Sequence, residues 1–188
     1  THISPLAVTI IWLPVIIFFL VRSILIHQAS GFPWHIPLGF LLGLFLWTFA
    51  EYTLHRFVFH FRPRSPWQER ITYLFHGIHH HQPHIKTRLV MPPVVSIPLA
   101  FIFYGVFYLV GGVIFKAPQW VDPLMSGFML GYLTYDIIHY ATHHFPMKVG
   151  YLKFLRKYHM QHHYKSPDAR YGVNSPIWDY VFRTMPED

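Results

Sequence analysis

Histidines occur in four groups with regular spacings in a chain that has no cysteine. Two groups have the form HxxHH, one has HxxxH and one has HxxxxH, and their ten members are His55, His60, His76, His79, His80, His139, His143, His159, His162 and His163. Residues three and four apart share a face of an α-helix, so HxxHH presents three imidazoles together and HxxxH presents two. The HxxxxH spacing leaves that face and therefore requires a helix end or a local distortion of the helix.

Ten imidazoles are too many for one metal ion. A first-row transition metal takes about four to six ligands, so the number suits two ions. Neighbouring histidines within one HxxHH triplet can reach different ions, which would hold the two ions close together. Imidazole binds zinc, copper, iron and nickel, so the ligand type leaves the metal open. The absence of cysteine excludes a disulfide framework, a thiolate zinc site and a cysteine nucleophile.

Two carboxylates are predicted to support the histidines. Glu51 precedes His55 by four residues and Asp136 precedes His139 by three, so each can accept a hydrogen bond from a ligand imidazole. Ionisable residues near the ends of membrane spans usually have such a role, although either one can instead lie in water at the interface. Tyr132 and Tyr135 are predicted to pack within a span or to contact substrate.

The remaining histidines fall outside these spacings. His81, His84 and His144 extend the histidine runs and are predicted to be solvated or to support the ligands. His2, His27 and His35 are predicted to be interfacial side chains.

The composition is typical of an integral membrane protein. Hydrophobic residues make up 53% of the 188 residues and charged residues only 12%, against about a quarter in soluble domains. The net charge of +7 indicates a membrane surface as the partner and not nucleic acid, because the basic residues lie beside apolar segments. The length suits a single domain over residues 1–188.

Four segments are predicted to cross the membrane as helices. A crossing of about 30 Å requires about 20 mostly apolar residues, and the segments are about 6–26, 36–54, 94–115 and 120–138. Four crossings place 55–93 and 139–188 on one side, with short connections near 27–35 and 116–119 on the other. Of the 15 Lys and Arg residues, 13 lie in 55–93 and 139–188, which makes that side cytosolic. We therefore predict an all-α integral membrane protein whose cytosolic helical cap carries the histidines.

HxxxxH, HxxHH, HxxxH and HxxHH, in this order between four spans, resemble the membrane fatty acid hydroxylase superfamily. The segments "KTRLVMPP" at 86–93, "YDIIHYATHH" at 135–144 and "YGVNSPIWDYVFRT" at 171–184 are similar to the branch that contains fatty acid 2-hydroxylases, which act on the acyl chain of sphingolipids. The resemblance runs from about residue 40 to the end, and the ordered histidine set is its most specific part.

The resemblance implies a dimetal, O₂-dependent monooxygenase that hydroxylates the second carbon of a long fatty acyl chain. It implies that the ten histidines are the ligands, that iron is the active metal and that zinc can occupy the purified protein. It also implies a lipid substrate and a separate electron donor such as cytochrome b5. The membrane would be the endoplasmic reticulum in a eukaryote or the plasma membrane in a bacterium, with the site facing the cytosol.

Several rival functions remain at this point. Desaturation, sterol oxidation and aldehyde decarbonylation occur in the same superfamily, and motif spacing does not separate them from hydroxylation. A metal transporter would need polar groups through the bilayer midplane, where the predicted spans have almost none. A zinc hydrolase is disfavoured because HExxH is absent and because an all-histidine shell leaves little room for an activated water.

Overall fold

The computed structural model describes residues 2–27 and 31–186, and every regular element in these two ranges is a helix. The eight α-helices are α1 (Pro5–Leu25), α2 (His35–Thr53), α3 (Pro66–Thr72), α4 (Ile78–His81), α5 (Pro93–Phe107), α6 (Val121–His144), α7 (Gly150–Tyr164) and α8 (Ile177–Val181). Three π-helices occupy Leu54–Phe59, Tyr73–Gly77 and Tyr108–Ile114, and a 3₁₀ turn occupies Pro118–Trp120. The prediction of an all-helical protein is confirmed for this part of the chain. Residues 28–30 of the predicted connection near 27–35 lie outside the described residues.

Three helical segments in the described ranges are long and apolar enough to cross a membrane: Pro5–Leu25, His35–Phe59 and Pro93–Ile114. They correspond to the first three predicted spans. The fourth predicted span, 120–138, lies within α6, which has sufficient length but is not among these three. Most residues of α6 are buried. Its hydropathy therefore reflects packing against neighbouring side chains as well as contact with lipid. The crossing by α6 and the cytosolic position of the cap remain predictions.

The chain divides into two compact units. The unit that we call the histidine unit comprises Thr1–Pro5, Thr48–Val90 and Tyr135–Asp188, and the span unit comprises Leu6–Trp47 and Met91–Thr134. That residues 1–188 form a single domain remains a prediction. Thr1 and residues 187–188 lie outside the described residues.

Glycines allow α2 and α6 to approach each other closely inside the span unit. A Cβ atom at Gly127 would lie 1.9 Å from the carbonyl oxygen of Phe40, and a Cβ atom at Gly43 would lie 2.1 Å from that of Leu124. Neither neighbour is a flexible side chain that could move aside. Small residues at helix crossings are how membrane helices gain close packing.

We expect Gly127→Ala to lower the thermal unfolding temperature of the detergent-solubilised protein, because its methyl group would force the two backbones apart. Gly105→Ala is the matched control, since a Cβ atom at Gly105 meets nothing within 4 Å and alanine is the better helix former. Equal unfolding temperatures for the two variants would contradict the close approach.

An ion pair neutralises two charges in the span unit. Arg22 donates from Nε to Asp122 Oδ2 at 2.6 Å and from Nη2 to Asp122 Oδ1 at 2.7 Å. The two parallel bonds make this a bidentate pair, the geometry in which arginine and a carboxylate interact most strongly. The pairing explains how α1 carries a charge within otherwise apolar sequence.

Candidate metal centre

The structure gathers the ten histidines into two groups of five. Within each group one ring nitrogen of every histidine lies within 4.8 Å of the others. We call the first group site A; it comprises His55, His60, His76, His80 and His162. The second group, site B, comprises His79, His139, His143, His159 and His163. All ten belong to the histidine unit.

A π-helix brings the HxxxxH pair into site A. At the end of the π-helix Leu54–Phe59, the backbone N–H of His60 donates to the carbonyl oxygen of His55 at 3.0 Å. A bond between residues five apart widens the helical turn, so His55 and His60 face the same side, and their ring centroids lie 5.0 Å apart. This widened turn is the local distortion that the spacing requires.

Each HxxHH triplet serves both sites. In the first triplet His76 and His80 belong to site A, whereas His79 belongs to site B. In the second triplet His159 and His163 belong to site B, whereas His162 belongs to site A. The two sites are adjacent, because the rings of His80 and His163 stack with their centroids 4.1 Å apart and their planes inclined by 18°.

The nitrogen–nitrogen distances fit metal ligation. Seven pairs of Nε2 atoms, each pair within one site, lie 2.9–3.1 Å apart. Two nitrogens bound at about 2.1 Å to one ion and at right angles would lie about 3.0 Å apart, whereas tetrahedral ligands would lie about 3.4 Å apart. The observed spacing therefore fits imidazole nitrogens that converge on a shared metal ion in each site.

Backbone carbonyls orient two of the site A rings. The Nδ1–H of His55 donates to the carbonyl oxygen of Tyr171, and the Nδ1–H of His162 donates to that of Ala169 at 2.7 Å. A neutral imidazole that donates from Nδ1 has its lone pair on Nε2. Both Nε2 atoms face other site A nitrogens, so these carbonyls hold the tautomer that can bind a metal.

Burial keeps the imidazoles neutral. It lowers the pKa of His60 to about 4, and burial together with the nearby His60 lowers the pKa of His162 to about 3. Both values lie far below the usual histidine pKa of about 6.5. A neutral ring at physiological pH is the form that a metal ion requires.

The metal-free protein should lose stability on mild acidification. Unfolded histidines take up protons as the pH falls through about 6.5, whereas folded His60 and His162 do so only near pH 4 and pH 3. The unfolded state therefore binds more protons between these limits, and the free energy of unfolding must fall as the pH falls. We expect the unfolding temperature of protein treated with a chelator to drop between pH 7 and pH 5. A flat profile across this range would contradict the assignment of buried neutral rings.

Two buried carboxylates hold the loop that orients His55. Asp179 accepts hydrogen bonds from the backbone N–H groups of Tyr171 at 2.9 Å and Gly172 at 2.8 Å. Glu51 Oε1 accepts from the N–H groups of Val173 at 2.6 Å and Asn174 at 2.8 Å. Four successive N–H groups are thus fixed by two side chains, and the carbonyl oxygen between the first two of them is the one that His55 contacts.

No sequence motif indicates the role of Asp179. Its side chain is fully buried, and it also accepts a hydrogen bond from Thr184 Oγ1 at 2.7 Å. A carboxylate that binds backbone groups seven and eight residues earlier follows no short-range motif, unlike a helix cap or an Asx turn. The only sequence signal was its position inside the segment "YGVNSPIWDYVFRT".

Three further residues predicted to support the site are Asp136 and Tyr135, which lie near His139, and Tyr132, which belongs to the span unit. Asp136 is buried one turn before His139, and the ring of Tyr135 stacks on His139 with the centroids 5.5 Å apart. Tyr132 belongs to the span unit, where its ring packs edge-on against Trp47 at 5.4 Å. Roles for Glu51, Asp136, Tyr135 and Tyr132 in supporting ligands or contacting substrate remain predictions.

The six remaining histidines belong to neither site in the described residues. His81 is exposed and donates from Nδ1 to the carbonyl oxygen of Gly77 at 2.8 Å. His84 is exposed and His144 is partly exposed. His2 bonds Thr87 Oγ1 at 2.6 Å, and the rings of His27 and His35 lie 5.1 Å apart in the span unit.

Comparison with known proteins identifies similar sequences and a similar structure. Residues 40–184 match the family described as fatty acid hydroxylase. The chain is 39% identical to dihydroceramide fatty acyl 2-hydroxylase FAH1 of Arabidopsis thaliana over 96% of this chain and 73% of that protein. It is 37% identical to ceramide very long chain fatty acid hydroxylase scs7 of Schizosaccharomyces pombe over 94% of this chain, and 34% identical to mouse fatty acid 2-hydroxylase over 97%. It spans only 49% and 53% of those two proteins.

A solved structure of full-length scs7p, in which only the hydroxylase domain is visible, is similar to this protein, with a TM-score of 0.88 and 33% sequence identity. The similar region covers 100% of this chain and 68% of the scs7p chain. Similarity in sequence and in fold thus extends over nearly the whole length, including all four histidine groups. The chain belongs to the fatty acid hydroxylase family.

Proposed function

We propose that this protein is an O₂-dependent oxidoreductase that hydroxylates the second carbon of long-chain fatty acyl groups, with sphingolipids as the substrate class. The observation that carries the proposal is the convergence of ten Nε2 atoms into two adjacent five-histidine sites. The relatives indicate the reaction and the substrate class, since they are a dihydroceramide fatty acyl 2-hydroxylase, a ceramide very long chain fatty acid hydroxylase and a fatty acid 2-hydroxylase.

Sites A and B would each hold one transition-metal ion, with iron expected for activity. The all-nitrogen donor set, the Nε2 spacing near 3 Å and the depressed histidine pKa values all fit such an ion. Bound redox metals supply the oxidant that an unactivated C–H bond requires, because such a bond offers neither a leaving group nor an acidic proton. Zinc also binds imidazole and can fill the same sites without supporting oxidation.

The backbone and side chains of the protein have three tasks in this reaction. The carbonyls of Tyr171 and Ala169 hold ligand rings in the required tautomer. Asp179 and Glu51 fix the loop behind His55. Burial of the site, with His55, His159 and His162 almost inaccessible to solvent, keeps the imidazoles neutral and limits the access of water to a reactive centre.

The proposed topology has four crossings, with α6 as the fourth, and places the histidines at the cytosolic face. The support is the charge distribution, since 13 of the 15 Lys and Arg residues lie in 55–93 and 139–188. A lipid with a polar head and a long apolar tail suits a site at the membrane face. The host membrane would be the endoplasmic reticulum in a eukaryote or the plasma membrane in a bacterium.

Lipid mass spectrometry tests the proposed function. Cells that lack endogenous 2-hydroxylated sphingolipids are grown under ¹⁸O₂ with and without the expressed protein. We expect acyl chains that gain one labelled oxygen atom at the second carbon. Loss of two hydrogens would indicate a desaturase, and oxygen in sterols or shortening of aldehydes would indicate another reaction of the superfamily; each of these results would overturn the proposal.

A further inference from the structure

A concentrated basic surface lies on the histidine unit beside α7. A surface hollow of about 720 Å³ has ten lining residues, of which five are Lys or Arg and, in the described part of the chain, none is Asp or Glu. We call this hollow the α7 basic surface, defined by Lys148, Lys153, Arg156, Lys157 and Lys165. Five cations without a lining carboxylate create a strongly positive local potential.

The same helix carries three of the ten site histidines on another face. His159 and His162 are fully buried, together with Leu155 and Tyr158, whereas Lys153 and Lys157 are exposed. α7 therefore separates the basic surface from sites A and B by the width of one helix, about 10–12 Å.

The proposed reaction requires electrons from outside the two sites. One atom of O₂ enters the C–H bond as the hydroxyl group and the other leaves as water, so each turnover consumes two electrons and two protons. The ten imidazoles store no electrons, and the sequence has no cysteine to hold an iron–sulfur cluster or to form a redox disulfide. Electrons must therefore reach the sites from a reduced carrier outside these 188 residues in every catalytic cycle.

We propose that the α7 basic surface docks an acidic one-electron carrier protein, an inference that rests on the proposed function. The two electrons of each turnover would then arrive in two successive deliveries. Charge complementarity selects an acidic partner. An electron carrier is favoured over a lipid surface because the proposed reaction consumes electrons at the two sites to which α7 contributes His159, His162 and His163. Its position on α7 brings the carrier to within one helix of both sites.

A binding measurement tests this docking surface directly. The full chain is placed in nanodiscs of uncharged lipid, and the dissociation constant of a soluble, acidic cytochrome b5 haem domain is measured at low and at physiological salt. We expect Lys153→Glu/Lys157→Glu to raise the dissociation constant about tenfold at low salt, since two attractions become two repulsions. Binding by the unaltered protein should weaken with salt, because screening shortens the range of charge interactions.

The matched control is Arg62→Glu/Arg64→Glu, which reverses two exposed charges outside the hollow. Equal weakening by both double variants, or none by either, would overturn the assignment of the surface. Binding of the unaltered protein only to vesicles of anionic lipid would also overturn it, in favour of a membrane contact.

Turnover separates this inference from the proposed function. With saturating carrier, Lys153→Glu/Lys157→Glu should recover the unaltered kcat and show only a raised KM for the carrier. If the unaltered protein binds the carrier but forms no hydroxylated lipid, the proposed function fails and the docking surface stands. If hydroxylation proceeds and charge reversal leaves both binding and KM unchanged, the docking surface fails alone.

Discussion

His80→Ala is expected to abolish the hydroxylated product, with a loss of more than about 100-fold, because even residues that only support a metal ligand are worth 10–100-fold. His80 Nε2 lies 3.0 Å from His76 Nε2 in site A, and its ring stacks on His163 of site B. Its removal would therefore delete one proposed ligand and expose a ring of the other site. Lipid mass spectrometry measures the product, and elemental analysis of the purified protein measures the metal content.

The neighbouring residue supplies the control. His81 lies outside both sites and is exposed, so His81→Ala should keep both metal content and product. His163→Ala should reproduce the loss from the site B side. A His80→Ala protein that is both active and fully loaded with metal would remove His80 from the proposed ligand set.

Asp179→Asn is expected to lower activity or metal affinity about 10–100-fold, although Asp179 contacts no histidine of either site in the hydrogen bonds described. The carboxylate accepts from the backbone N–H groups of Tyr171 and Gly172 with separate oxygens. An asparagine has one acceptor oxygen and would present an NH₂ group to the second N–H donor, leaving a buried donor unsatisfied. The loop that orients His55 would then shift.

The readout must separate this positioning role from a general loss of fold. Metal content and the optical spectrum of a cobalt-substituted protein report on the ligand arrangement, whereas the unfolding temperature reports on stability. We expect an altered cobalt spectrum in Asp179→Asn at temperatures well below unfolding. Glu69→Gln, which changes an exposed carboxylate, should leave the spectrum unchanged. An unaltered spectrum in Asp179→Asn would show that the carboxylate serves stability alone.

The histidine set could be selected from the sequence because helix geometry makes spacing informative. Residues three and four apart must share a face, so HxxHH and HxxxH indicate convergent imidazoles before any fold is known. The HxxxxH pair indicated only that some distortion was needed. The π-helix is defined by the hydrogen bond from the N–H of His60 to the carbonyl oxygen of His55, five residues earlier. Spacing alone does not distinguish a π-helix from the end of an α-helix.

Long-range contacts were less accessible to prediction. Hydropathy identifies helices that face lipid, and it identified α1, α2 and α5, which match the three apolar segments of the structure. α6 is largely buried, so its sequence reflects contacts with Phe40 and other neighbours as well as lipid. The hydrogen bonds of Asp179 connect α8 to the loop that contains Tyr171 and Gly172. No periodic sequence pattern predicts such a contact.

The division of each triplet between sites A and B restricts how the gene can vary. A substitution at one histidine alters one site, but a single inserted or deleted codon inside HGIHH or HMQHH rotates the following residues by about 100° and disturbs both sites together. Length changes within these segments should therefore be far less tolerated than point changes, even where the inserted residue is itself a histidine.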